Sequence, residues 1–298
     1  MTKSQIALST DNLDKLVNHP ENVLANYDEF WETERVQFCT KKWADHLNYE
    51  IPHDKLIVMI QEWSDLSPEA REAHALKKNA AILIKQKDAL LEKALPHLHS
   101  FFPPETDLSV TVHLTAFNPS RGFAMLDIII NVQAPHWQGD ARNILNAIVH
   151  EIGHVGHSYC RTLWTEEKAK PEMKQRVLDN INSEGICTYI GYTARKFAPA
   201  PGDQDYPQVD DSKRVKEAFA QTNEIIAQIG KVPDDEIQKL TWETGIQDRA
   251  YYVVGTHICK TIDEELGRDA LIEALSTGPQ YWVNRYNQLV PKDLRLEF

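Results

Sequence analysis

Asn146 to Cys160 reads "NAIVHEIGHVGHSYC", three histidines and one glutamate set in an apolar run. On an α-helix each residue advances about 100°. His150 and His154 therefore stand about one turn apart on one face, where two imidazoles can hold a single metal ion. Glu151 lies about 100° round from His150, too far to join them as a ligand. It remains within reach of a water at such an ion, which makes it the candidate general base. The flanks Ile144, Leu145, Ile148, Val149, Ile152 and Val155 are apolar, so the helix is expected to be buried and its histidines to need partners.

A zinc site that acts on substrate needs a third protein ligand. His157 points in an acceptable direction but lies ~10 Å from His150 along the axis, too far for three side chains of one straight helix to converge. It is better read as a residue beside the site or lining a cleft. Cys160 is read as a buried thiol. The metzincin pattern HExxHxxGxxH would have a histidine at position 160 and glycine at 157, and this sequence departs from it at both. Glu184, in "LDNINSEGICTYIGY", lies in the next expected helix on a face shared with Ile181, Ile186, Tyr189 and Ile190. A lone carboxylate there is costly unless paired or metal-bound, so Glu184 is the expected third ligand, with Asp179 as the fallback. Cys187 and His157 are the residues that could close a structural site with a fourth ligand.

Outward from this helix the chain is mostly helical. Asn22 to Asn48 carries Phe30, Trp31, Phe38 and Trp43 at helical spacing, and Ser67-Pro68 starts a helix expected to stop at Pro96. "DLSVTVHLTA", Asp107 to Ala116, alternates as a strand does, and "FAMLDIIINV", Phe123 to Val132, reads as its partner across the turn Asn118 to Gly122. Pro135 to Asp140 reads as a loop with Asp140 as helix cap. Further helices are expected over Pro171–Phe197, Lys213–Ile229, Ile246–Leu266 and Asp269–Leu275, with Ala198–Ser212 as linker or surface loop. The expected fold is α+β and mostly helical, with a small antiparallel sheet or hairpin packed beside the HExxH helix. Residues 1–100 form an N-terminal helical region and 101–298 the catalytic region, as two parts or one continuous domain.

His150, Glu151, His154 and the later Glu184-Gly185 together resemble the gluzincin branch of zinc metallopeptidases. "SEGICTY" and "AYYVVGTHICKTIDEELGRDALIEAL" are similar to families described only as zinc-dependent peptidases of uncharacterised function. The resemblance spans roughly Val110 to Asn287. It implies a zincin-like fold, one zinc ion held by His150, His154 and Glu184, and water activation by Glu151. It also implies that the strand before the active helix is a sheet edge that pairs with substrate backbone. An oxyanion donor is implied from a later helix, with Tyr251, Tyr252 and His257 as candidates. Tyr252 is preferred because it shares a face with Thr256 and Cys259, whereas Tyr251 sits with Val254, Ile258 and Ile262.

The expected function is a zinc hydrolase cutting amide bonds in a peptide or small amide. Two alternatives use the same residues: a non-haem iron oxygenase, whose ligand set is also two histidines and a carboxylate, and a non-catalytic protein with a structural metal. The net charge of −12 argues against nucleic acid as a partner. No apolar run is long enough for a membrane span. Four scattered cysteines without a CxxC pair, and no apolar leader after Met1, suggest a reducing, cytoplasmic location.

Overall fold

The computed structural model describes residues 6–33, 36, 53–117, 122–124, 128–134, 137, 140–164, 172–197 and 205–298. The expectations for Phe38, Trp43 and most of the turn at 118–122 fall outside them. The protein is α+β and mostly helical.

Four strands make one sheet. They are β1 (Ile6–Ser9), β2 (Val110–Thr115), β3 (Gly122–Ala124) and β4 (Ile128–Asn131), in the order β1-β2-β4-β3. β1 pairs parallel with β2, Ile6 opposite Val110, and β2 pairs parallel with β4, Val112 opposite Ile128. Only β3 runs antiparallel, on β4, with Gly122 opposite Ile130.

The sheet is thus built on parallel pairs, which corrects the antiparallel hairpin expected between β2 and the following stretch. "FAMLDIIINV" contributes to two strands that fold onto each other, and its second half continues the sheet beside β2. The cause is burial: Ile128, Ile129 and Ile130 are each 0% exposed. A continuous apolar run marks an interior strand covered on both faces, whereas a hairpin half-exposed to water alternates. It follows that β4, the strand preceding the HExxH helix, is interior, and the sheet edge on that side is β3. β1 was not expected; it buries Ile6 and Leu8 and ties residues 6–9 to β2.

Six described helices precede β2: α1 (Asp11–Asn18), α2 (Pro20–Ala25), α3 (Tyr27–Trp31), α4 (His53–Ser64), α5 (Pro68–Ala73) and α6 (Ala75–His99). Ser67 caps α5 by accepting from the Ala70 amide at 3.2 Å. The chain breaks at His74, so one expected helix is two, and Pro96 lies inside α6 rather than ending it. Proline forgoes one hydrogen bond and crowds the preceding turn. Here the last turn persists because Leu98, Phe101 and Phe102, in and just after it, are buried.

After the sheet come α7 (Ala141–Trp164), α8 (Met173–Ala194), α9 (Asp205–Asp210), α10 (Ser212–Gln228) and α11 (Asp234–Leu240). A π-helical segment (Thr241–Gln247) leads to α12 (Ala250–Leu266), α13 (Arg268–Thr277) and α14 (Pro279–Asn287). α9 falls within the stretch expected to be a linker, yet Asp205, Tyr206 and Val209 are buried. α12 starts at Ala250 rather than Ile246 because Arg249 adopts a left-handed φ of 66°.

α8 packs against both α7 and α12, and these three helices carry the site. The α8–α12 crossing depends on two glycines. A side chain on Gly185 would collide with the Gly255 backbone, and one on Gly255 with the Ile181 carbonyl and Gly185. Thr256 Oγ1 donates across the crossing to the Gly185 carbonyl at 3.3 Å. Helices usually pack 8–10 Å apart; paired glycines let these backbones touch. That contact presses Glu184 of α8 and Tyr252 of α12 towards the same face of α7.

Candidate metal centre

His150 and His154 project from one face of α7, with ring centroids 5.0 Å apart. Glu184 Oε2 lies 3.6 Å from His150 Nε2 and 3.7 Å from His154 Nε2. Their ligand-capable atoms all fall within 4.8 Å of one another, and this is the only such grouping of three or more His, Cys, Asp or Glu among the described residues. The side chains are 18%, 20% and 19% exposed, so the cluster is mostly shielded but still open to one side.

The residues fit a metal ion by their own chemistry. Glu184 Oε2 is buried without a hydrogen-bond partner, and at 3.6–3.7 Å the imidazole nitrogens stand beyond hydrogen-bond range. An unpartnered buried acceptor is costly; a cation between the three atoms would satisfy it. Burial opposes ionisation of Glu184, yet His154, His150 and Arg249 together hold its pKa down at about 2, so it is a carboxylate. Burial pulls His154 down to about 4, leaving the neutral ring that a ligand must be. Burial also pulls on His150, but Glu184 and the charge of Glu151 outweigh it and raise its pKa. The same two carboxylates that attract a proton there would attract a metal cation.

Glu151 is half-buried on α7 and its charge reaches His150. Tyr252 is 7% exposed, and its ring lies nearly parallel to His150, 14° between planes and 6.2 Å between centroids. Burial first, and then the charge of the Glu184 carboxylate, push the Tyr252 phenol well above its ordinary pKa. It stays protonated and is a hydrogen-bond donor.

The other candidates lie elsewhere. Tyr251 is fully buried against Gly245, its hydroxyl 3.2 Å from Thr241 Oγ1. His257 pairs through Nδ1 with the Tyr286 hydroxyl at 3.0 Å and packs edge-on against Phe219. On α12 it is about 140° round from Tyr252. His157 is buried one turn beyond His154, Nε2 2.8 Å from Asn182 Oδ1 and 3.7 Å from Asp179. Asp179, the fallback ligand, is held by Arg161 at 3.0 Å. Cys160 faces Ser276, and Cys187 packs against Gly153, where α8 crosses α7.

Sequence reasoning missed Ser183 and Arg249. Ser183 Oγ lies 3.0 Å from His154 Nδ1, so the ring can donate there and direct the Nε2 lone pair at the centre. The signal was its place beside Glu184, which makes it the next side chain round the helix.

The comparison with known families agrees with this centre. The chain belongs to the DUF5700 family. That family is described as "Putative zinc dependent peptidase", and its model matches residues 24–294, which include every residue of the centre. No curated protein and no solved structure matches the chain.

Proposed function

We propose that this DUF5700 member is a zinc-dependent peptidase of zincin-like architecture, hydrolysing amide bonds in a peptide or small amide. The observation that carries the reading is the buried, unpartnered Glu184 oxygen set between His150 Nε2 and His154 Nε2. His150, His154 and Glu184 would hold one zinc ion, leaving a position open for substrate and water. Such an ion supplies Lewis acidity, polarising a carbonyl and making water more acidic.

The chain's own residues do the rest. Glu151 accepts the proton of the attacking water on its carboxylate and returns it to the departing amine nitrogen. Tyr252, kept protonated, donates a hydrogen bond to the carbonyl oxygen as it gains negative charge. Ser183 holds the His154 ring in one tautomer. The buried free thiols Cys160, Cys187 and Cys259 support a cytoplasmic location.

The test is metal analysis joined to E151Q. Purified protein is expected to carry about one zinc per chain, and to cleave members of a mixed quenched-fluorescent peptide library. E151Q keeps the zinc and loses turnover. Full activity in E151Q, or stoichiometric iron with oxygen-dependent turnover, overturns the proposal.

A further inference from the structure

Arg249 is one of two non-glycine residues with positive φ among those described, at 66°. A long L side chain tolerates this conformation poorly, and it persists only where its surroundings enforce it. Here the enforcing contacts are visible. The guanidinium makes a two-point bond to Asp205 of α9, Nε to Oδ1 at 2.7 Å and Nη2 to Oδ2 at 2.5 Å. Both side chains are buried, 11% and 8% exposed. The planar group then lies over the Tyr252 ring, Cζ 3.0 Å from the ring centroid.

A buried ion pair is weak grounds for stability, because its desolvation cost offsets the attraction. Its placement is more informative. The left-handed turn puts Arg249 immediately before α12, three residues from Tyr252, and folds the guanidinium back onto that ring. The ring is thereby flanked by a cation that Asp205 pins in place, and it lies nearly parallel to His150. A tyrosine that must keep its hydroxyl at the metal centre gains from such a clamp, since orientation is held before substrate arrives.

We propose that Arg249, fixed by Asp205, is a positioning residue that holds the Tyr252 ring beside His150 so that its hydroxyl stays aimed at the centre. The catalytic consequence rests on the peptidase reading; the effect on the ring does not.

R249L alone would leave Asp205 buried and uncompensated, and such a chain can fail to fold. The informative variant is D205N/R249Q, which removes both charges. The first readout is NMR of zinc-loaded protein with ring-13C tyrosine, the Tyr252 signal identified by its loss in Y252F. In D205N/R249Q the Tyr252 signal shifts and broadens, while that of Tyr251, held at Thr241, does not. An unchanged Tyr252 signal overturns the proposal.

The second readout is a kinetic cycle on the best peptide of the library. D205N/R249Q lowers kcat by about ten- to a hundredfold with KM nearly unchanged. Combined with Y252F it is no worse than Y252F alone, to within about twofold, because both changes act through one hydroxyl. Independent, multiplying losses overturn the role. If wild type cleaves no peptide, the peptidase reading fails, and the NMR result still decides the clamp.

Discussion

Gly185 of α8 and Gly255 of α12 touch backbone to backbone, and Thr256 hydrogen-bonds across the contact. The residue before Gly185 is the candidate ligand Glu184, and Tyr252 is one turn before Gly255. The glycine pair therefore sets the distance between the two helices that complete the site begun on α7. In G185A or G255A the added methyl would press on the backbone of the facing helix, which no rotamer change relieves. Each should lower stability by about 1–3 kcal/mol, seen as a lower midpoint in urea unfolding. Each should also weaken zinc binding by moving Glu184. G153A is the milder case: its new methyl would meet the Cys187 thiol at 3.2 Å and the Cys187 Cα and Ile190 Cδ1 at 3.3 Å, contacts relieved by a shift of a few tenths of an ångström, so its effect should be smaller. Equal zinc affinity in G185A and wild type would show that the crossing does not set the ligand distance.

Ser183 should matter to metal affinity without being a ligand. With its hydroxyl 3.0 Å from His154 Nδ1, S183A leaves that ring free to turn or change tautomer. Loss of such a supporting hydrogen bond typically weakens metal binding about 10- to 100-fold. Competition against a chromophoric chelator measures this directly. H154A and E184A should abolish binding in the same assay. Chelator should lower the wild-type melting temperature, because an ion bound only by the folded chain stabilises it, and should leave that of H154A unmoved. An S183A affinity equal to wild type would assign the contact to packing alone.

The parts of this architecture legible in the sequence are those fixed by helical period. His150, Glu151 and His154 follow from spacing within one helix, and Glu184 stands out as a carboxylate in an otherwise apolar stretch. That Tyr252 and Tyr251 face different ways also needed only helical phase, since one stacks on His150 and the other lies against Gly245 and Thr241. What was illegible depends on contacts distant in sequence. Alternation in Val110–Thr115 is the same whether its neighbour runs parallel or antiparallel, and β1 has only four residues, too few for a periodic signal. Asp205 sits in a stretch rich in proline and aspartate that reads as solvent-exposed, yet it is buried because Arg249 reaches it. Nor does the sequence mark the left-handed turn at Arg249, since no glycine stands there to signal it.

His257 gives a prediction on acid stability, away from the metal centre. Its ring packs against Phe219 and its Nδ1 hydrogen-bonds with the Tyr286 hydroxyl. Burial first, and the charge of Lys260 second, lower its pKa to about 4. An unfolded histidine titrates near ~6.5. Between these values the unfolded chain binds a proton that the folded chain refuses, so stability rises with pH across that window. The contribution is fully present above about pH 6.5, is lost as pH falls towards 4, and is constant below. With a discount for the ring's partial exposure, the loss amounts to about 2 kcal/mol. H257N retains an acceptor near the Nδ1 position and cannot titrate. Urea unfolding at pH 7 and at pH 4.5 should show wild type losing more stability than H257N, by about that amount. Other histidines such as half-buried His97, also lowered by burial, are present in both proteins and cancel in the difference. Equal acid losses in the two proteins would show that His257 is not held neutral by the fold.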